Sequence, residues 1–394
     1  MKRLVALALA SLIAAQAMAA EMANEAEEAR RISESIFGAA DVDAESVDAE
    51  LPTVTSDGAP ADLAYGAYQR GYYLTALDRA LPRAEQGDAV AQTLIAEIYA
   101  NGLGVGVNLE RAAGWYRLAA RNGDPIAMFE LANLYYNGTG VEQDRERAAD
   151  LMRQAAEAGN SEAKYNLALL HVEGISVKPN LTRAADLMRQ AADSELPEAQ
   201  YDYGIMLLEG AGVIPDIEQG ATYIRAAAEA GLQAAQVDFA TMLYLGQGVE
   251  RDLEAAVDWY RKAANAGNPV AQNRYAKLLA AGEGTNLSLE DAAMWRALAR
   301  RQGFSDPELD RLLISIPPQM LARAEERARY WPAPIPEIDA PAFYSGMGLG
   351  NSESAGASPE LEPAAGIEDD AAVSAAPIPR QRPNSLEPTG DVGQ

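Results

Sequence analysis

One histidine, no cysteine and 58 carboxylates are the groups with which this chain could do chemistry. His171 carries the only imidazole, the usual base and metal ligand near neutral pH. Its position recurs every 36 residues as Tyr99, Tyr135, Leu207, Leu243 and Leu279, so a partly buried helix residue is expected there. A lone histidine without cysteine cannot assemble a tetrahedral zinc set, and no nucleophile elbow accompanies it. Two carboxylates held across a sugar would hydrolyse a glycoside, but the spacing singles out no pair, and solvated faces are the plainer reading. The stretch Asn-Gly-Thr-Gly-Val-Glu-Gln-Asp from Asn137 to Asp144 invites a phosphate-cradle reading, yet the third glycine of a dinucleotide fingerprint is Gln143 here. No catalytic residue, cofactor or metal is expected.

The glycine stretch is instead one of a series. It returns at Asn101, Glu173, Glu209, Leu245 and Ala281, always 36 residues apart. A fixed period in the range of about 20–50 residues is the mark of a solenoid, in which each unit buries its apolar face against its neighbours. Ala91, Ala127, Ala163, Ala199, Ala235 and Ala271 form an unbroken alanine column in the same register. A methyl there lets helices approach where anything larger would overpack. Ile95, Leu131, Leu167, Tyr203, Phe239 and Tyr275 supply bulk, and Trp115, Leu151, Leu187, Tyr223, Trp259 and Trp295 open the second helix's apolar run.

Apolar spacings of three and four, as in Ala127, Leu131, Leu134 and Tyr135, specify helices. Gly123, Gly159, Gly231 and Gly267 suit the left-handed residue that closes a helix. Asp124 or Asn268 then caps the next helix, with Pro125 or Pro269 in its first turn. Asn108, Asp144, Asn180, Asp216 and Asp252 are placed to cap the second helices. Ser176 and Glu195 stand where the pattern has glycine, which predicts altered joints.

Outside the periodic region the composition changes. Residues 1–19 have the charged, apolar and small-residue parts of a secretory leader, ending in Ala17-Met18-Ala19, and Leu4 to Ala15 is too short to span about 30 Å of hydrocarbon. Cleavage there leaves no membrane anchor, so a periplasmic or secreted location is expected. Residues 20–60 and 332–394 are acidic and poor in apolar groups, as expected of disordered arms. The net charge of −26 makes nucleic acid and anionic membrane surfaces poor partners.

On its glycine, alanine and aromatic columns the chain resembles the Sel1-like repeat family, relatives of tetratricopeptide repeats. The resemblance implies an all-α fold, an α/α solenoid (right-handed superhelix) of 36-residue helix-turn-helix repeats, with six repeats over 89–304. A degenerate helix pair at 61–88 and capping helices at 305–331 would close its ends. Cysteine-rich members of the family are linked to β-lactam binding; this chain lacks the cysteines that staple their helices.

In such proteins the first helix of each unit commonly lines the concave side. By that resemblance, Glu130, Asn133, Asn137, Asn166, Glu173, Tyr201, Asp202, Glu209, Asp238 and Thr241 form the expected partner-binding row, turning basic at Arg274 and Lys277. Phe129, Tyr165 and Tyr201 would add aromatic anchors. The plainer alternative is an ordinary solvated face. The resemblance implies a non-enzymatic exported scaffold holding a protein or extended peptide, with a basic segment the natural complement. Envelope assembly, polysaccharide export and signalling regulation are its expected settings. The competing expectation is a peptidoglycan or glycan binder, or a weak cell-wall hydrolase, with Trp115, Trp259 and Trp295 as sugar platforms.

Overall fold

Every second helix of the array starts from a polar side chain that bonds back to its own first turn. Asn108 Oδ1 accepts from Arg111 N–H at 2.9 Å, and Asp144, Asn180, Asp216 and Asp252 repeat the bond at 2.9, 3.0, 2.9 and 2.9 Å. Ser288 caps the last of the series. A cap of this kind contributes about 1 kcal/mol by satisfying a donor that the helix itself cannot reach. First helices are capped by Asp88, Asp124, Asn160 and Asn268, while Leu196 and Leu232 stand at that position without a side-chain bond.

The structure is a computed structural model that describes residues 62–174 and 176–333. The expected leader, the acidic segment 20–60 up to residue 61, and the tail from residue 334 lie outside the described residues. Sixteen helices and no strand occur among the described residues. A short pair, α1 (Leu63–Gln69) and α2 (Tyr73–Glu85), precedes the array. The first helices are α3 (Ala89–Asn101), α5 (Pro125–Asn137), α7 (Ser161–Glu173), α9 (Pro197–Glu209), α11 (Gln233–Leu245) and α13 (Pro269–Ala281). Each is followed by its partner: α4 (Leu109–Arg121), α6 (Arg145–Glu157), α8 (Leu181–Ala192), α10 (Ile217–Glu229), α12 (Leu253–Asn265) and α14 (Leu289–Arg301). The short α15 (Pro307–Leu312) and α16 (Pro318–Tyr330) complete the described chain. No helix among the described residues is long and apolar enough to cross a membrane.

The core runs along the array rather than gathering at one centre. All six members of the alanine column are buried, as are Ile95, Leu131, Leu167, Tyr203 and Phe239 of the bulk column. Tyr275 is only partly buried and packs against the last core cluster. The tightest crossing is between α9 and α10, where a Cβ on Gly204 would sit 2.7 Å from Ile224 Cγ1 and 3.0 Å from the Gly220 carbonyl oxygen.

Neighbouring units are tied by buried amides. Gln92, Gln236 and Gln272 donate back to the carbonyls of Ala84, Ala228 and Ala264 at 2.8, 3.2 and 3.2 Å. Asn122 and Gln302 extend two of these ties to Gly87 and Gly267 of the preceding joint.

The second glycine of each loop has a different task from the first. Gly248 has φ 70°, and a Cβ there would lie 2.6 Å from the carbonyl oxygen of Ile217, the first residue of α10 in the preceding unit. Gly140, Gly212 and Gly284 meet Leu109, Leu181 and Leu253 in the same way. The loop therefore seats directly on the backbone of the previous unit. Ser176 and Glu195 keep the left-handed conformation of the glycines they replace, with φ 60° and 63°. The expected alteration at these joints is thus strain held in place rather than a changed path.

Candidate partner-binding surface

Position six of the first helices forms a column that faces along the array: Glu130, Asn166, Asp202, Asp238 and Arg274. Position five, one residue before, is Phe129, Tyr165, Tyr201, Val237 and Asn273. The two columns interlock between units. Tyr165 donates its hydroxyl to Asp202 at 3.0 Å, and Tyr201 donates to Asp238 at 2.7 Å. Each tyrosine thus holds a carboxylate of the next first helix, and the aromatic column positions charge instead of presenting ring faces. Tyr165 is itself buried.

Burial raises Asp238 above the ordinary carboxylate range, opposed by the Tyr201 hydroxyl and the positive field of Arg274. Burial likewise pushes up Glu130, against a hydrogen bond from Asn133 and with repulsion from Glu97 and Glu162. Glu97 belongs to the same group: burial raises it, Tyr68 bonds it, and Asp124 repels it. Tyr116 lies behind these two carboxylates, and burial pushes its hydroxyl far up. Thr241 bonds Tyr260 at 2.7 Å and the Val237 carbonyl at 2.9 Å.

Of the expected row, Glu130, Asn133, Tyr201, Asp202, Asp238 and Thr241 are half-buried, and Asn137, Glu173 and Glu209 are exposed at the helix ends. Asn166 does not belong with them. It is 6% exposed, and its amide donates to the Glu162 carbonyl of its own helix at 3.0 Å, so helix packing withdraws it from the face. The basic end is also shorter than expected. Lys277 is held by Asp306 and Glu308 of the capping segment, leaving Arg274 as the cation of the row. Arg274 is half-buried and makes neither hydrogen bond nor ion pair among the described residues.

His171 is half-buried, and its Nδ1 faces the Lys178 carbonyl at 3.1 Å, its sole hydrogen-bond partner among the described residues. No group of histidine, cysteine or carboxylate side chains there is arranged to hold a metal ion. Trp115 is wholly buried, and Trp295 is 5% exposed and edge-on to Trp331 at 4.9 Å. Trp259 stands edge-on to Phe239 at 5.6 Å with Lys262 over its other side. Trp115 and Trp295 are packing elements that offer no open face for a sugar, and Trp259 is half-buried.

Sequence reasoning found the acids and named Tyr165 and Tyr201 as partner anchors, but missed that they hold the acids, and missed Glu97. The signal was available: Tyr165 and Asp202, and again Tyr201 and Asp238, stand 37 residues apart, one more than the repeat. The offset places each hydroxyl beside the following unit's carboxylate.

The class that this fold defines is the all-α solenoid of stacked helix pairs. The model of the Sel1 repeat matches residues 89–124, 125–160, 161–195, 197–232 and 233–268, so the chain carries five Sel1 repeats. Such repeats are generally non-catalytic scaffolds that mediate protein–protein interaction. Among solved structures it is similar to a protective antigen of uropathogenic Escherichia coli strains displaying an SLR fold, at 26% identity and a TM-score of 0.57. That match covers 65% of this chain and only 58% of the antigen's length. A Sel1 repeat protein from Oxalobacter formigenes is similar at 29% identity and a TM-score of 0.54, over 61% of this chain and 98% of that one. No curated protein matches the sequence.

Proposed function

We propose that this chain is a non-enzymatic, exported scaffold that binds a protein or extended peptide along the face of its first helices, in envelope assembly, polysaccharide export or signalling regulation. The observation that carries this reading is the Tyr165–Asp202 and Tyr201–Asp238 ladder. Carboxylates fixed by neighbouring units on a rigid array are preorganised for a basic segment, which lowers the ordering cost of binding and steers encounter by charge. The export signal read in residues 1–19 supports a periplasmic or secreted address, and the intact mass of the mature protein tests it.

The binding test uses envelope extract passed over the full mature chain and over an Asp202→Asn, Asp238→Asn variant. Asparagine keeps the shape and can still accept from the tyrosines, so the fold persists, which a matching thermal melt checks. A protein held by the first and lost by the second supports the reading. Equal retention by both, or none by either, refutes it.

A further inference from the structure

The position-six column carries a change of charge sign that a general acidic face would not need. From Asp202 to Asp238 to Arg274 it runs anion, anion, cation, one charge per unit and all half-buried. The two anions are bound by tyrosine hydroxyls, whereas Arg274 has no hydrogen-bonding or ion-pairing partner among the described residues. A guanidinium with five donors and no hydrogen-bonded acceptor among the described residues is suited to a carboxylate from outside. Its neighbour Asp238 lies close enough to feel its field but forms no ion pair with it.

Spacing converts this column into a rule. The Tyr165–Asp202 and Tyr201–Asp238 bonds set successive first helices side by side, so equivalent positions on them are separated by roughly 10 Å. An extended polyproline II chain rises about 3.1 Å per residue and turns once in three residues, so residues three apart share a face and span about one unit. Resting on the binding face proposed above, we propose that Asp202, Asp238 and Arg274 read an extended segment bearing two basic residues and one acidic residue, each three positions from the next. The partner is a separate polypeptide. The chain's own regions outside the described residues contain no two basic residues three apart, since their basic side chains are Lys2, Arg3, Arg30, Arg31, Arg380 and Arg382.

Fluorescence anisotropy of labelled peptides on the full mature chain tests the rule. The probes are Lys-Ala-Ala-Lys-Ala-Ala-Glu, its reverse Glu-Ala-Ala-Lys-Ala-Ala-Lys, and Lys-Lys-Glu-Ala-Ala-Ala-Ala, which has the same composition in the wrong spacing. One of the first two is expected to bind about tenfold tighter than the third, taking about fivefold per correctly placed charge with incomplete additivity. Arg274→Glu, which removes no native hydrogen bond, is expected to transfer the preference to Lys-Ala-Ala-Lys-Ala-Ala-Lys. Equal binding of all probes, with partner capture still lost in the Asp202→Asn, Asp238→Asn variant, overturns the spacing rule and leaves the binding face standing. Peptide binding and partner capture that both survive that variant overturn the face itself.

Discussion

Replacing Gly248 by alanine isolates the contact that sets one unit on another. The residue lies at φ 70°, where an alanine costs about 1–2 kcal/mol. Reduced freedom of the unfolded chain returns about 0.5 kcal/mol. The new methyl also falls 2.6 Å from the Ile217 carbonyl oxygen, 2.9 Å from Ile217 Cγ2 and 3.1 Å from its carbonyl carbon. Two of those three atoms are backbone at the start of α10, so the joint must open, at about 1–3 kcal/mol for an overpacked contact. The sum is a loss of about 3 kcal/mol. Gly231→Ala is the control, because Gly231 has φ 101° and nothing within 4 Å of an added Cβ. It bears the conformational cost alone, about 1 kcal/mol. Urea unfolding followed by circular dichroism compares them, and a gap of about 2 kcal/mol corresponds to a midpoint difference of about 1 M for a slope near 2 kcal/mol/M. If the two variants unfold at the same urea concentration, the seating of loop on backbone is not what holds the joint.

The strained joints give the opposite sign: Ser176→Gly and Glu195→Gly are each expected to stabilise by about 0.5–1 kcal/mol, read as a raised urea midpoint. Gly204→Ala should cost about 1–3 kcal/mol through its approach to Ile224 and the Gly220 carbonyl, and Ile224→Ala, which removes the clashing Cγ1, should cost less in that background than in the natural chain. Burial alone would raise Asp306, but hydrogen bonds from Asn273, Lys277 and Leu309 N–H hold it at about 2. Because the folded value is depressed, its contribution of about 2 kcal/mol is present above the unfolded value near 4 and disappears as pH falls through about 2. The melting difference between the natural chain and Asp306→Asn should therefore be largest above pH 5 and shrink toward pH 2. Tryptophan emission should be blue-shifted and unmoved by muropeptides, since Trp115 and Trp295 are buried; a red shift or glycan quenching would restore the sugar-platform reading.

The fold was legible because repetition averages out local ambiguity. One glycine pair resembles a nucleotide loop, but five in one register can only be joints, and the alanine column fixes which side of each helix is buried. The binding face was less legible. Asn166 belongs by spacing to the same column as Asp202, yet rotation within the packed array buries it, and only coordinates show that its amide turns to the Glu162 carbonyl. Lys277 likewise reads as a free cation until Asp306 and Glu308 arrive from outside the repeat pattern. Periodicity specifies contacts inside the period; contacts that cross it, such as Tyr201 with Asp238, need the offset between units as well.

Both ends of the described array are fastened by partly exposed ion pairs, Arg83 with Asp62 and Asp88 at the N-terminal end, and this decides how it comes apart. At the C-terminal end Arg296 pairs with Asp310, Arg323 with Glu290, and Arg327 with Asp291, all on partly exposed side chains. The interior joints depend on buried alanine, glycine and amide contacts that salt does not screen. Raising ionic strength therefore loosens the first and last helices before the middle units. In a structure whose units touch only their neighbours, unravelling starts where the fastening is weakest. Salt thus opens the array from its ends, and the Tyr–Asp ladder, in the third to fifth of six helix pairs, is lost after them.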